Sequence, residues 1–413
     1  MKRIAIVAAA ALLVAGASKP VIGVASKPGP ALVVGWRAGA SPLERTAARE
    51  AADALTLHHL GDIGVEVLRA DRPAQSVAVL RRDPAVAFVQ LDGDVHLAAS
   101  RPNDPLFERQ WNLHQANDAD IDAPRGWAAV YGTDANGQTT FPMQPTGPVI
   151  GIIDTGVDRA HPDIGGKVIS CASALGGQGV VLEGSCQDLH GHGTHAAGIA
   201  AATADNAVGV AGIAPGASVA ACKALDDGAH GFVVDLLACL DWLSVMDVAV
   251  ISMSLESEPG PALAAAVRKV WHQGRGTLMV AAAGNSGDVS PTYPAAYPTV
   301  VSVASTNKND RRSYFSNYNR DVELSAPGSR ITSTTSGGGY ATFSGTSAAT
   351  PHAAGVAAMI KLVRPGLSAR KLRKALHRAV DDLGARGRDP LFGFGRLNLA
   401  KAVAGGRPSG QPL

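Results

Sequence analysis

Aromatic residues make up only 5% of the 413-residue chain, and its four cysteines include no CxxC pair. Charge is nearly balanced, with 37 Lys and Arg against 35 Asp and Glu and a net value of +2, which leaves no electrostatic case for a nucleic-acid partner. Beyond the N-terminus no long apolar run occurs, so no membrane attachment is expected once that end is removed. What remains is 46% hydrophobic and rich in Ala and Gly, a composition of tightly packed α/β layers rather than of a disordered chain. The one basic cluster, Arg370, Lys371, Arg373 and Lys374, alternates with Leu372, Leu376 and Val380 at helical spacing and reads as a solvated helix face.

The first residues have their own pattern. Lys2 and Arg3 precede an apolar stretch from Ile4 to Ala15 that ends in Ala-Gly-Ala, a secretory signal over residues 1–17, too short to span a bilayer comfortably. Residues 18–30 form a low-complexity linker. Export implies an extracellular protein, with the periplasm as the alternative compartment. In that oxidising setting Cys171, Cys186, Cys222 and Cys239 suggest two disulfides. Local pairing, Cys171 with Cys186 and Cys222 with Cys239, is the simplest of three connectivities. Reduced, buried thiols at Cys222 and Cys239 are the alternative.

From residue 31 to about 100, strand-like runs ("ALVVGW", "VEVLRA", "VAFVQL") alternate with two helical stretches, leaving room for a further strand. The order suggests a small ferredoxin-like α+β unit. "LAASRPNDP" reads as a linker. Over residues 101–405, buried apolar runs ("VIGIID", "VAVISMSL", "TLMVAAAGN", "VVSVAST") alternate with helices, which predicts a doubly wound, mainly parallel sheet covered on both faces; residues 406–413 form a flexible tail. Functional groups in such a fold gather at the C-terminal ends of strands.

Asp154 in "IIDTGVD", His192 in "HGHGTHAAG", Asn285 in "AAAGNSG" and Ser347 in "SGTSAATPH" are polar residues at or beside such ends. Each alone has a capping or turn explanation. Together they supply a carboxylate, a base, an amide donor and a nucleophile, in the order Asp, His, Ser. With "NDPLFERQWNL", "YPAAYPTVVSVAS", "LSAPG" and "GFGRLNLAKAV", these motifs resemble a subtilisin-type serine protease precursor (subtilase, peptidase family S8), closest in pattern to its thermitase-like members. The residues thereby implied are a triad of Asp154, His192 and Ser347 with Asn285 in the oxyanion hole. Ser347 would open a buried helix, where free backbone N–H groups favour developing negative charge, and Pro351 would be tolerated in the first helical turn. A neutral His192 as base predicts activity rising through about pH 6 to 7. The spacing of His190, His192 and His195 also permits a zinc reading, which lacks a third well-placed ligand.

The resemblance further implies that peptide or protein substrates bind as an added strand between residues 225–231 and 254–256. Ala281, Ala282, Ala283, Gly284 and Asn285 would line the pocket for the residue before the scissile bond, here called P1, with Thr292 near its floor, while Ser254, Leu255 and Glu256 flank the bound strand. Relatives usually have "SLGG" where this chain has "SLES". Glu256 could favour a basic P1 residue, narrow the entrance or point to solvent. Ala348 replaces the common Met after the nucleophile, removing a peroxide-sensitive thioether. A structural Ca²⁺ is implied at Asp104, Asp163, Asn206 and the carbonyls of Thr203, Val208 and Val210. The 31–100 unit resembles an intramolecular propeptide inhibitor, with maturation expected near 97–101. A monomer is expected. A peptide ligase on the same scaffold and a catalytically dead binding protein are the competing readings; every triad member is present.

Overall fold

The computed structural model describes residues 31–92, 101–142 and 144–404. The expected signal, linker, processing segment and tail fall wholly or largely outside the described residues. The chain divides into units at Leu97/Ala98.

In the first unit the elements run β1 (Leu32–Trp36), α1 (Pro42–Ala51), β2 (Ala54–Leu60), β3 (Val65–Ala70), α2 (Pro73–Leu80) and β4 (Val86–Leu91). The antiparallel order β2-β3-β1-β4 is the ferredoxin-like arrangement. The further strand is β2, "ALTLHHL", which is exposed along most of its length. Leu32, Val34, Leu68, Leu80 and Val89 form the core of this unit. Helix α1 starts sharply because Ser41 and Glu44 form a reciprocal capping box, with Pro42 between them as the first helical residue.

The second unit is built on a ten-stranded sheet. Its strands are β5 (Val149–Asp154), β6 (Val168–Ser173), β7 (Leu182–Glu183), β8 (Ser218–Lys223), β9 (Val248–Met253), β10 (Leu278–Ala282), β11 (Val301–Thr306), β12 (Val322–Pro327), β15 (Val380–Asp381) and β16 (Arg396–Leu397), in the order β15-β16-β12-β11-β10-β9-β5-β8-β6-β7. From β6 to β16 all pairings are parallel, and only the outermost strands run antiparallel. Strands β13 (Ile331–Thr335) and β14 (Gly339–Phe343) form a separate hairpin.

Alternation along each strand feeds two cores. Ile150, Ile152, Val250, Leu278 and Val280 pack with α3 (Ala123–Tyr131), α4 (His192–Ala201), α7 (Thr346–Val363), α8 (Ala369–Arg378) and α9 (Leu399–Val403). Ile153, Ile251, Met253, Met279 and Ala281 pack on the opposite side with α5 (Val233–Ser244) and α6 (Pro261–His272). Burial on both faces explains why these strands read as continuous apolar runs. The sheet therefore has the doubly wound form that the alternation predicts.

Disulfides join Cys171 on β6 to Cys186, and Cys222 on β8 to Cys239 on α5. This is the local pairing. The reduced-thiol alternative for Cys222 and Cys239 is thereby set aside. Sequence separations of 15 and 17 residues correspond to roughly 3 kcal/mol each by loop-closure entropy.

Candidate active site

Strand order reverses at β5, because β8 and β9 lie on its two sides. In an open parallel sheet such a switch point leaves a crevice beyond the strand ends. Asp154 is the last residue of β5 and is buried there. Its Oδ1 accepts hydrogen bonds from Thr155 N–H and from His192 Nδ1–H, both at 2.7 Å. That bond fixes the imidazole tautomer and leaves Nε2 as the proton acceptor. The Asp154 charge, against the opposing effect of burial, raises the His192 pKa above the usual histidine value.

His192 opens α4, and the turn before it is held by a residue that motif reading missed. Asp188, fully buried, accepts from Gly191 N–H (2.8 Å), Thr194 N–H (2.9 Å), Thr194 Oγ1–H (2.6 Å) and Thr155 Oγ1–H (2.9 Å). It ties the His192 helix to the residue following Asp154, and its negative charge sits at a helix N-terminus, where it is favourable. The one available signal was an acid three residues before Gly191, outside the usual capping position. Gly193 completes the turn, since any Cβ there would collide with the Gly156 carbonyl oxygen.

Ser347 is the second residue of α7, after Gly345 at the cap, so its N–H has no partner within the helix. Asn285 stands three residues beyond β10. Its Oδ1 accepts from Thr346 N–H (2.8 Å) and Thr346 Oγ1–H (3.0 Å), which turns Nδ2 into the available donor. The loop carrying Asn285 is braced by buried Asn317, whose Oδ1 accepts from Ser286 N–H (2.8 Å) and Gly287 N–H (3.0 Å). Asn317 was likewise not anticipated; its "FSNY" context has no capping or strand-end signature.

Pro351 corrects the sequence expectation. It lies inside α7, four residues after Ser347, not in the first turn. Lacking an N–H, it frees the Ser347 carbonyl, which accepts from Ser254 Oγ–H at 2.8 Å instead. The wall of the cleft is thus bonded to the residue carrying the hydroxyl. His352 is fully buried beside it, with Asn112 Nδ2–H donating to its Nε2 (2.9 Å) and its own Nδ1–H donating to Ala348 O (2.9 Å). Burial lowers its pKa to about 4, so it stays neutral.

His192, Ser347 and Asn285 line one cleft of about 250 Å³. Leu225, Ala229, Ser254, Leu255, Glu256, Ala282, Gly284 and Thr292 complete its lining. Ala281 and Ala283, expected in this pocket, do not line it. Their side chains are buried in the hydrophobic clusters beside β10, because successive side chains of a strand alternate faces. His195 is also turned away from the cleft. Its Nε2 meets Ile331 O at 3.1 Å, its ring stacks on Phe343, and burial lowers its pKa to about 4.

Asp104 and Asp163 converge on the 203–210 loop. Asp104 accepts from Asp205 N–H (2.8 Å), and Asp163 from Asn206 Nδ2–H (3.0 Å) and Val210 N–H (2.8 Å). Both carboxylates are buried, and burial raises each pKa to about 6, Asp163 adding to the shift at Asp104. Among the described residues no three Asp, Glu, His or Cys side chains cluster as a metal site.

A model of the subtilase family matches residues 145–395, the span holding Asp154, His192, Asn285 and Ser347. The chain belongs to the subtilase family. This subtilase is 40% identical over 304 residues to thermitase of Thermoactinomyces vulgaris, covering 73% of this chain and 99% of that relative. It is 32% identical to a thermostable alkaline protease of Halalkalibacterium halodurans, covering 86% and 87% of the two chains. A solved protease of Pseudoalteromonas arctica superposes with a TM-score of 0.63 at 27% identity, covering 74% of this chain and 99% of that one. The subtilase is accordingly a subtilisin-like serine endopeptidase. Among the described residues no helix is long and apolar enough to cross a membrane.

Proposed function

We propose that this subtilase hydrolyses peptide bonds through an acyl-enzyme on Ser347. His192 Nε2 takes the Ser347 proton as Oγ attacks the carbonyl carbon. The oxyanion accepts from Ser347 N–H and Asn285 Nδ2–H, and Asp154 steadies the imidazolium. Collapse of the tetrahedral species passes the proton to the leaving amine. Water, deprotonated by the same imidazole, then releases the acid and restores Ser347.

The observation that carries this reading is the meeting of the Asp154–His192 pair, Ser347 and an oriented Asn285 amide on one cleft. An active-site phosphonate tests it. Labelling is expected on the native enzyme and absent on Ser347→Ala. Labelling that persists in the variant refutes the assignment.

The protein is further proposed to be exported as a precursor. Its ferredoxin-like unit would assist folding and block the cleft until removed, with cleavage near 97–101. The N-terminal sequence of the secreted form checks that position. A structural Ca²⁺ is proposed at Asp104, Asp163, the Asn206 amide oxygen and the carbonyls of Thr203, Val208 and Val210. Two buried carboxylates, each raised chiefly by burial and Asp104 further by the charge of Asp163, are hard oxygen donors that a divalent cation would relieve. Its contribution would be to stability alone.

A further inference from the structure

The wall of the cleft departs from the surrounding chemistry at one residue. Apart from the imidazole of His192, the cleft presents aliphatic, hydroxyl and amide groups, and Glu256 is its fixed charge among the described residues. The backbone carrying it is held on both sides. Ser254 is bonded to the Ser347 carbonyl, Leu255 is buried, and Ser257 N–H donates to Tyr293 O at 2.8 Å, which joins this wall to the segment containing Thr292. Glu256 itself is exposed, with no place in either hydrophobic core. Glu256 therefore brings an exposed carboxylate, on a held backbone, to the lining of a pocket that includes Ala282, Gly284 and Thr292, and no lysine or arginine lines that pocket.

From this geometry we infer that Glu256 selects substrates with a lysine or arginine at P1. The aliphatic stem of such a residue matches the small and apolar lining, while its cationic end gains a partner at the rim. A P1 glutamate meets the same carboxylate as a like charge. The inference rests on the peptidase reading above and names the substrate class of that site. Because the carboxylate is open to solvent, the discrimination is modest, about three- to fivefold, and it is screened by salt. It acts on ground state and transition state alike, so it is read in KM more than in kcat.

The test uses the mature enzyme with peptide anilides that differ only at P1, carrying lysine, norleucine or glutamate. The readout is the ratio of kcat/KM values between substrates, in the native protein, Glu256→Gln and Glu256→Lys. The lysine-to-norleucine ratio is expected to fall about three- to fivefold in Glu256→Gln, and the glutamate-to-norleucine ratio to rise in Glu256→Lys. In the native enzyme the lysine-to-norleucine ratio is expected to shrink at 0.5 M salt, a measurement that needs no variant, by roughly the screening of an exposed pair. Ratios that stay the same across all three proteins overturn the inference and leave Glu256 a solvated side chain. A rise for all three substrates together in Glu256→Gln also overturns it, in favour of a merely narrowed entrance. If the native enzyme hydrolyses none of the substrates and takes no phosphonate label, the peptidase reading itself fails, and this inference with it.

Discussion

Replacing Asn285 by Ala removes two things at once: the Nδ2 donor facing the cleft, and the Oδ1 acceptor that holds Thr346 N–H at 2.8 Å. The first loss acts on the transition state, where one oxyanion donor is worth about 3 kcal/mol, or roughly a hundred- to a thousandfold in kcat. The second acts on the folded state. Asn285 is exposed, so water can take over the Thr346 N–H, and the expected change in stability is below about 1 kcal/mol. Asn285→Asp separates the two effects because it keeps the acceptor and replaces the donor by a negative charge. Both variants are therefore expected to lose kcat by at least about a hundredfold with KM little changed and melting temperature nearly constant. Steady-state kinetics on an anilide substrate, with melting curves alongside, provide the assay. Recovery of turnover in Asn285→Asp would refute the donor role and make Asn285 only an anchor for the first turn of α7. A kcat within threefold of native in Asn285→Ala would have the same force.

Other outcomes follow from the same geometry. Because Asp154 raises the His192 pKa and the base must be neutral, the acidic limb of the kcat/KM profile should lie above the usual histidine value of about 6.5. In Asp154→Asn that limb should move down while kcat falls about ten-thousandfold; an unmoved limb in a pH–rate series argues against the pair. Chelation of calcium should lower the melting temperature, by about 2.7 kcal/mol of stability where free Ca²⁺ had been a hundredfold above its dissociation constant, and Asp163→Asn should abolish that difference. An identical chelation effect in the variant removes the site. Ser254→Ala leaves the Ser347 carbonyl without its partner, at a cost of about 1 to 3 kcal/mol, and should lower both melting temperature and kcat, where a loop-only role for Ser254 leaves both unchanged.

The readable parts of this chain were those where one residue type carries one constraint. Continuous apolar runs announced β5, β9, β10 and β11 because both faces of the sheet are covered. The Asp154, His192, Asn285 and Ser347 motifs sit where strands end and helices begin, so local sequence and site coincide. Legibility failed where a role depends on a distant partner. Strand β2 carries exposed Leu55 and Leu57 and shows no clean alternation, so only its pairing with β3 defines it. Asp188 reaches another segment through the Thr155 hydroxyl, and Asn317 through the Ser286 and Gly287 N–H groups. Pro351 could be placed in the helix only once the cap was seen at Gly345, and its unpaired carbonyl partner is satisfied from 93 residues away. Ala281 and Ala283 share a run with residues of the cleft, and only the alternation of the strand separates them from it.

Helix α7 has a bearing on how such a catalyst can change. Ser347 is mounted on a rod of small residues threaded through the interior, and even a methyl group added at Gly355 would come within 2.7 Å of Ile213 Cβ. A bulkier side chain along that rod would shift the Ser347 hydroxyl before it altered the exposed lining of the cleft. On the reading proposed above, variation in selectivity would be channelled to the solvent-facing edge of the cleft, at a position such as Glu256, where replacements can accumulate without disturbing the packing behind them.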